Sequence, residues 1–154
     1  MKSRTILASL GVFLATLAVA LAADAFVGNW KLNEAKSKFP TGATKNQMVV
    51  YTAAGDDLKV TVDAVDKDGK AMHTEWTGKP DGKDYPVTGA VNEDTRAYTK
   101  VDDKTLDFTS KKGAKVTAQG RVVLSPDGKS RTVTTTVMEA DGKKAMSTAV
   151  YDKQ

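Results

Sequence analysis

His73 is the sole histidine of this 154-residue chain, and Glu75 follows it two positions later. On an extended backbone, residues two apart share a face, so the pair could bind a metal ion or pass a proton. Zinc sites are built from several nitrogen or sulfur ligands, and the chain has no cysteine to join this one imidazole. The pair therefore reads as part of a polar strand face. Serine chemistry has no better setting. Ser37, Ser110, Ser125, Ser130 and Ser147 lack a G-x-S-x-G context, and each would depend on His73 as its base. Asp66-Lys67-Asp68-Gly69 opens like a calcium loop, but its twelfth position is Thr77 instead of glutamate and its flanks read as strands. These residues assign no catalytic group, metal or cofactor.

Binding chemistry has more to work with. Trp30, Trp76, Tyr85, Arg96, Tyr98, Phe108, Arg121 and Tyr151 form an aromatic and cationic set. Aromatic walls with a few placed polar groups are how proteins hold small apolar or amphipathic molecules. Arg96 and Tyr98 fall on one face of a strand, as do Leu106 and Phe108. The ligand-binding candidates are Trp30, Trp76, Arg96, Tyr98, Phe108, Arg121 and Tyr151.

Strands must position these side chains. Leu58, Val60, Val62 and Ala64 alternate with Lys59, Thr61 and Asp63, and Val116, Ala118, Gly120, Val122 and Leu124 alternate with Lys115, Thr117, Gln119, Arg121 and Val123. Period-2 alternation sets one face of a sheet on a core and the other towards water. Asp-Gly-Lys occurs four times, at Asp68, Asp81, Asp127 and Asp141, and Asp-Gly suits tight hairpin turns. The pattern predicts an all-β fold with strands over 26–32, 46–53, 57–65, 70–77, 83–88, 95–101, 105–111, 114–125, 131–139 and 144–152. Ten short strands so spaced suggest an antiparallel meander closed into a barrel or sandwich, which removes exposed edges. A single helical turn is expected between Asn33 and Lys45, capped by Asn33 and stopped by Pro40. There is also an internal echo. Val49-Val50, Gly55, Val60 and Gly69-Lys70 recur as Val122-Val123, Gly128, Val133 and Gly142-Lys143, and Ala71-Met72 recurs one residue late as Ala145-Met146.

The start of the chain has a different character. Lys2 and Arg4 precede an uncharged apolar run from Ile6 to Leu21, which ends in Ala20-Leu21-Ala22. A charged n-region, a short apolar segment and an A-x-A end make a secretory signal, expected over 1–22 with cleavage after Ala22 or after Ala25. The remaining 23–154 is expected to fold as one domain, in the periplasm or secreted, with no membrane span in the mature form and as a monomer. Without cysteine, neither a lipid anchor at this end nor a disulfide can form. The formal net charge is +4, and Lys2 and Arg4 account for half of it. No basic stretch is interleaved with aromatics, so nucleic acid is not expected as a partner.

The segment Phe26-Val27-Gly28-Asn29-Trp30-Lys31-Leu32 resembles the opening strand of intracellular fatty-acid-binding proteins and, more loosely, the G-x-W strand of lipocalins. Thr148-to-Lys153 is similar to the last strand of the fatty-acid-binding family. That family places an arginine two residues before the final-strand tyrosine, where this chain has Ala149 before Tyr151. A methyl cannot pair with a carboxylate, which speaks against fatty-acid binding in the usual manner. Gly28-to-Phe39, His73-to-Gly78 and Asp81-to-Gly89 also resemble a group of small exported bacterial proteins of uncharacterised function, described as lipocalin-like. The resemblance implies a calycin-like barrel whose interior carries the aromatic and cationic set. It further implies a non-catalytic role in binding a small hydrophobic or amphipathic ligand. The competing expectation is a structural or protein-interaction module of the cell envelope with a filled interior.

Overall fold

The period-2 alternation and the glycine turns generate ten strands in the computed structural model, which describes residues 25–154. The leader expected over 1–22 lies outside the described residues. The strands are β1 (Gly28–Lys38), β2 (Lys45–Ala54), β3 (Asp57–Val65), β4 (Ala71–Gly78), β5 (Tyr85–Thr88), β6 (Thr95–Asp102), β7 (Thr105–Lys112), β8 (Lys115–Leu124), β9 (Ser130–Met138) and β10 (Lys144–Lys153). Each pairs antiparallel with its sequence neighbours, and β1 pairs with both β2 and β10, so the meander closes into a barrel. The glycines of the four Asp-Gly pairs, at 69, 82, 128 and 142, all have φ between 69° and 84°. Among the described residues no helix is long and apolar enough to cross a membrane.

The expected helical turn after Asn33 does not form, and β1 runs on to Lys38. Its local hydrogen bonds explain the misreading. Asn33 Oδ1 accepts from the Lys36 amide at 3.2 Å, as a capping side chain would. Ser37 Oγ donates to the Asn33 carbonyl at 2.7 Å and accepts from the Val150 amide at 2.9 Å. The register slips between Asn33, which faces Val150, and Lys38, which faces Thr148. This is an enlarged bulge, four residues of β1 against one of β10, tied to β10 through one serine.

The echoed segments take equivalent places. Val49 and Val122 face inward, Gly55 and Gly128 turn the following hairpins, and Gly69 and Gly142 turn the next. The late repeat of Ala-Met reverses its side chains. Met72 packs on the core, whereas Met146 is 71% exposed. One inserted residue in a period-2 element exchanges the faces.

The core gathers at one end of the cylinder. Phe26, Trp30, Leu58 and Leu106 have no exposed surface, so no water-sized void adjoins them. Trp30 Nε1 donates to the Phe26 carbonyl at 2.8 Å, which satisfies the one polar atom of a wholly buried ring. Gly28 is required beside it. Its φ of +139° disfavours other residues, and a Cβ there would lie 2.6 Å from Lys153 Cε. The Lys153 ammonium sits 5.2 Å from the Trp30 ring centroid. The weakest seam is β5, which matches only two residues with each neighbour. Trp76 Nε1 spans it from β4, donating to the Arg96 carbonyl of β6 at 2.8 Å.

Removing the plugging ring tests this account of the floor. Trp30→Ala is expected to lower unfolding free energy by about 3–5 kcal/mol, as for other large-to-small core changes. Urea melts would show a lower midpoint, and an unchanged midpoint would mean that Trp30 carries no core load.

Candidate functional site

The inward face of the barrel divides into two halves. The floor, around Trp30, is filled and aromatic. Towards the other end the inward positions become small. From buried Arg131, Leu124 and Tyr151, steps of two along β9, β8 and β10 reach Thr135 and Val137, Ala118, and Ser147 and Ala145. Thr135, Ala118, Ser147 and Ala145 are half-buried, and the inward Val137 is exposed at 43%. Met72 and Thr74, inward on β4, are half-buried as well. Water therefore reaches the upper interior from the mouth.

Sequence reading missed the central residue of the floor. Arg131, at the start of β9, is only 2% exposed. It lies directly across the β9–β10 ladder from Tyr151. Its guanidinium carbon sits 4.7 Å from the Tyr151 ring centroid, 4.8 Å from that of Tyr51 and 5.1 Å from that of Trp30. Nε and Nη1 have no hydrogen-bond acceptor among the described residues. A desolvated cation–π contact contributes about 0.5–2 kcal/mol, so three faces offset part of what those unpaired N–H groups cost. The signal was present in the alternation, because Arg131 stands two positions from the inward Val133. Ala149 offers no charge, yet β9 brings a guanidinium beside Tyr151 from the neighbouring strand.

A second inward cation lies nearer the mouth. Arg96, on β6, donates through Nη1 to the Tyr98 hydroxyl at 3.2 Å and through Nε to Ser110 Oγ at 3.3 Å. The same guanidinium is gripped by Glu93 from the β5–β6 connection, with Nε donating to Oε2 at 3.1 Å and Nη2 to Oε1. Tyr98 links the halves. Its ring meets Trp76 edge-on at 4.8 Å, Tyr51 at 6.5 Å and Phe108 at 6.0 Å between centroids. Burial is the main cause that pushes the Tyr98 hydroxyl above its ordinary pKa, with the neighbouring Tyr51 adding to it.

Six of the seven ligand-binding candidates face inward. Trp76, Arg96, Tyr98 and Phe108 come together, while Trp30 and Tyr151 belong to the sealed floor. Trp76 and Tyr98 are equally buried, so Arg96 and Phe108 are the members of the group that keep exposed surface. Tyr85 stacks edge-on to Trp76 at 5.7 Å. Arg121 is a correction. It stands on the outer face of β8 and forms a two-pronged ion pair with Asp107, at 2.6 and 2.8 Å. The alternation that turns Val122 inward turns its neighbour outward.

His73 is also on the outside. Its Nδ1 shares a 2.6 Å hydrogen bond with Asp63, and Nε2 lies 3.4 Å from Glu75, which Lys59 pairs at 3.1 Å. The Asp63 hydrogen bond is the leading reason that the imidazole pKa is raised. Among the described residues no group of three or more His, Cys, Asp or Glu side chains could hold a metal ion. An open groove of about 310 Å³ on the outer face runs past Thr109, Gln119, Arg121 and Met146. A cleft of about 570 Å³ lies between the β1–β2 connection and the β3–β4 turn, bordered by Glu34, Phe39, Lys45 and Lys67.

No family model and no curated protein matches the chain. Solved structures do. The barrel is similar to EF1p2_mFAP2b bound to DFHBI, with TM-score 0.51 and 12% identity, covering 86% of this chain and 97% of that one. It is similar to zebrafish ileal bile acid-binding protein complexed with cholic acid, with TM-score 0.50 and 14% identity, covering 84% and 99%. A redesigned β-barrel, mFAP1, bound to DFHBI, aligns with TM-score 0.49 and 16% identity over 86% and 98%. At such identities the likeness establishes the fold alone, a closed ten-strand antiparallel barrel.

The floor can be tested through its tyrosine. Burial pushes the Tyr151 hydroxyl up to about 12, with the Arg131 charge opposing that rise. A raised pKa stabilises the folded state below the unfolded value of about 10, and that contribution is lost as pH climbs through the folded value. An ultraviolet titration of wild type against Tyr151→Phe should place this ionisation near the upper value. Ionisation at the ordinary value would mean that the ring is not sealed in.

Proposed function

We propose that the chain is exported by cleavage of its first 22 residues, and that the mature barrel binds a small amphipathic molecule without catalysis, as a monomer, in the periplasm or outside the cell. The observation that carries the binding reading is the Arg96–Tyr98–Ser110 cluster. It sits inside the barrel where the filled floor gives way to a half-buried, small-residue interior. Apolar carbon would lie against Phe108, Val133 and Ala118, and a polar head would take the Arg96 guanidinium, which the buried Tyr98 and Ser110 hydroxyls hold in place. The zebrafish protein named above is described with cholic acid and the EF1p2_mFAP2b barrel with DFHBI, which supports a small-molecule role for a barrel of this shape. The charged start, apolar run and Ala20-Leu21-Ala22 end support export.

The filled floor favours a second reading, a structural barrel of the cell envelope with no ligand. Calorimetric titration of the mature protein with octanoate and octanol separates the two. Binding is expected for both probes, and Arg96→Met should weaken octanoate about tenfold while octanol changes little, the loss of one charge-assisted hydrogen-bond pair. A protein with a cooperative melt that takes up neither probe would leave the structural reading standing. Export has its own check: mass spectrometry of protein made in a bacterial host should find a chain beginning at Ala23, or at Phe26. A full-length cytoplasmic product would overturn it.

A further inference from the structure

Glu93 is out of place for a loop residue. It belongs to the connection between β5 and β6, where Val91 is 70% exposed and Asn92 and Asp94 are exposed as well. Its own side chain turns into the mouth of the barrel and is only 11% exposed, against 16% for Arg96. A carboxylate usually stays in water unless a partner compensates its burial. Here the partner is the Nε–Nη2 edge of the Arg96 guanidinium, engaged by both carboxylate oxygens. That edge is the one through which arginine grips a free carboxylate or sulfate in the two-pronged manner. On the other side Nη1 donates to the Tyr98 hydroxyl, and Nε is shared with Ser110 Oγ.

The backbone beside Glu93 is fixed by other means. The Asp94 amide donates to the Lys111 carbonyl at 2.7 Å and the Asp94 carbonyl accepts from the Val87 amide at 2.9 Å. The Asp94 carboxylate accepts from Lys112 Nζ at 2.7 Å and from the Gly113 amide at 2.9 Å. The connection is thus anchored through Asp94 independently of Glu93, whose side chain can leave Arg96 by rotation about its own bonds.

Building on the amphipathic-ligand reading above, we propose that Glu93 is an internal stand-in for the ligand's anionic group. It occupies Arg96 while the barrel is empty and is displaced to water when a ligand carboxylate or sulfate arrives. The ligand class is thereby an amphiphile with an anionic head, held near the mouth with its apolar part in the upper interior. Glu93 sets the threshold: the incoming anion must outcompete a carboxylate tethered at high local concentration, and a neutral amphiphile gains nothing from displacing it.

The test compares octanoate and octanol on wild type and Glu93→Gln. Removing the tethered competitor should raise octanoate affinity about tenfold relative to octanol, since a like charge leaves the site and the arginine edge is vacated. A purely structural role would move both probes together, so an unchanged octanoate-to-octanol ratio overturns the proposal. If wild type binds octanoate through Arg96 and that ratio does not change, only the stand-in fails. If neither protein binds either probe, the ligand-binding reading fails with it. Should Glu93→Gln lose its cooperative melt, wild type carries the test by NMR of the labelled Glu93 carboxyl. Its resonance should move to the position of a solvated glutamate as octanoate saturates, and a resonance that stays fixed overturns the proposal.

Discussion

The barrel depends on how one indole is buried. Trp30 occupies the floor with no exposed surface, and this is possible because its single polar atom is satisfied four residues back, at the Phe26 carbonyl. Two cations then close over the ring, Lys153 from the last strand and Arg131 from β9. Trp30 lies on β1, the strand that pairs with both β2 and β10, so the plug and the closure of the cylinder are one structural event. Gly28 makes room for the lysine stem. A small domain without cysteine has no covalent brace, and apolar burial must hold its first strand to its last.

Filling the floor leaves function to the other half. Large rings converge at Trp30, Tyr51, Tyr98 and Trp76, whereas β8, β9 and β10 offer alanine, serine, threonine and valine as they approach the mouth. Neither inward arginine has a simple solvated environment. Arg131 is embedded among three rings and keeps two N–H groups without an acceptor. Arg96 is matched by hydroxyls and by a carboxylate borrowed from a loop. Their difference is one of access: the floor cation is sealed, and the mouth cation stands where water already enters. A barrel that spends its aromatics on packing has only the second of these to offer a ligand.

Much of this was legible from residue order. Alternation located all ten strands, with β1 longer and β5 shorter than expected, and four Asp-Gly pairs marked where the chain takes positive φ. The same alternation held the answer for Arg121, whose neighbour Val122 is inward, although its charge suggested a ligand contact. Arg131 went unnoticed for the opposite reason. An arginine among threonines reads as surface, and only its spacing from Val133 hinted otherwise. Asn33 misled because a side-chain cap looks alike at a helix start and in a bulge.

What the residues alone determined was therefore the element type, the number of strands and which side chains share a face, because these follow from a two-residue period and local turn chemistry. What the tertiary structure decided was which faces meet. Glu93 and Arg96 are near neighbours in sequence, but their meeting inside the barrel depends on how the β5–β6 connection folds over the mouth. The Arg131–Trp30–Tyr51–Tyr151 cluster joins two hairpins, β1–β2 and β9–β10, that meet only once the cylinder closes between β1 and β10. Cross-barrel contact is set by shear, tilt and closure of the whole sheet, and no local pattern encodes those.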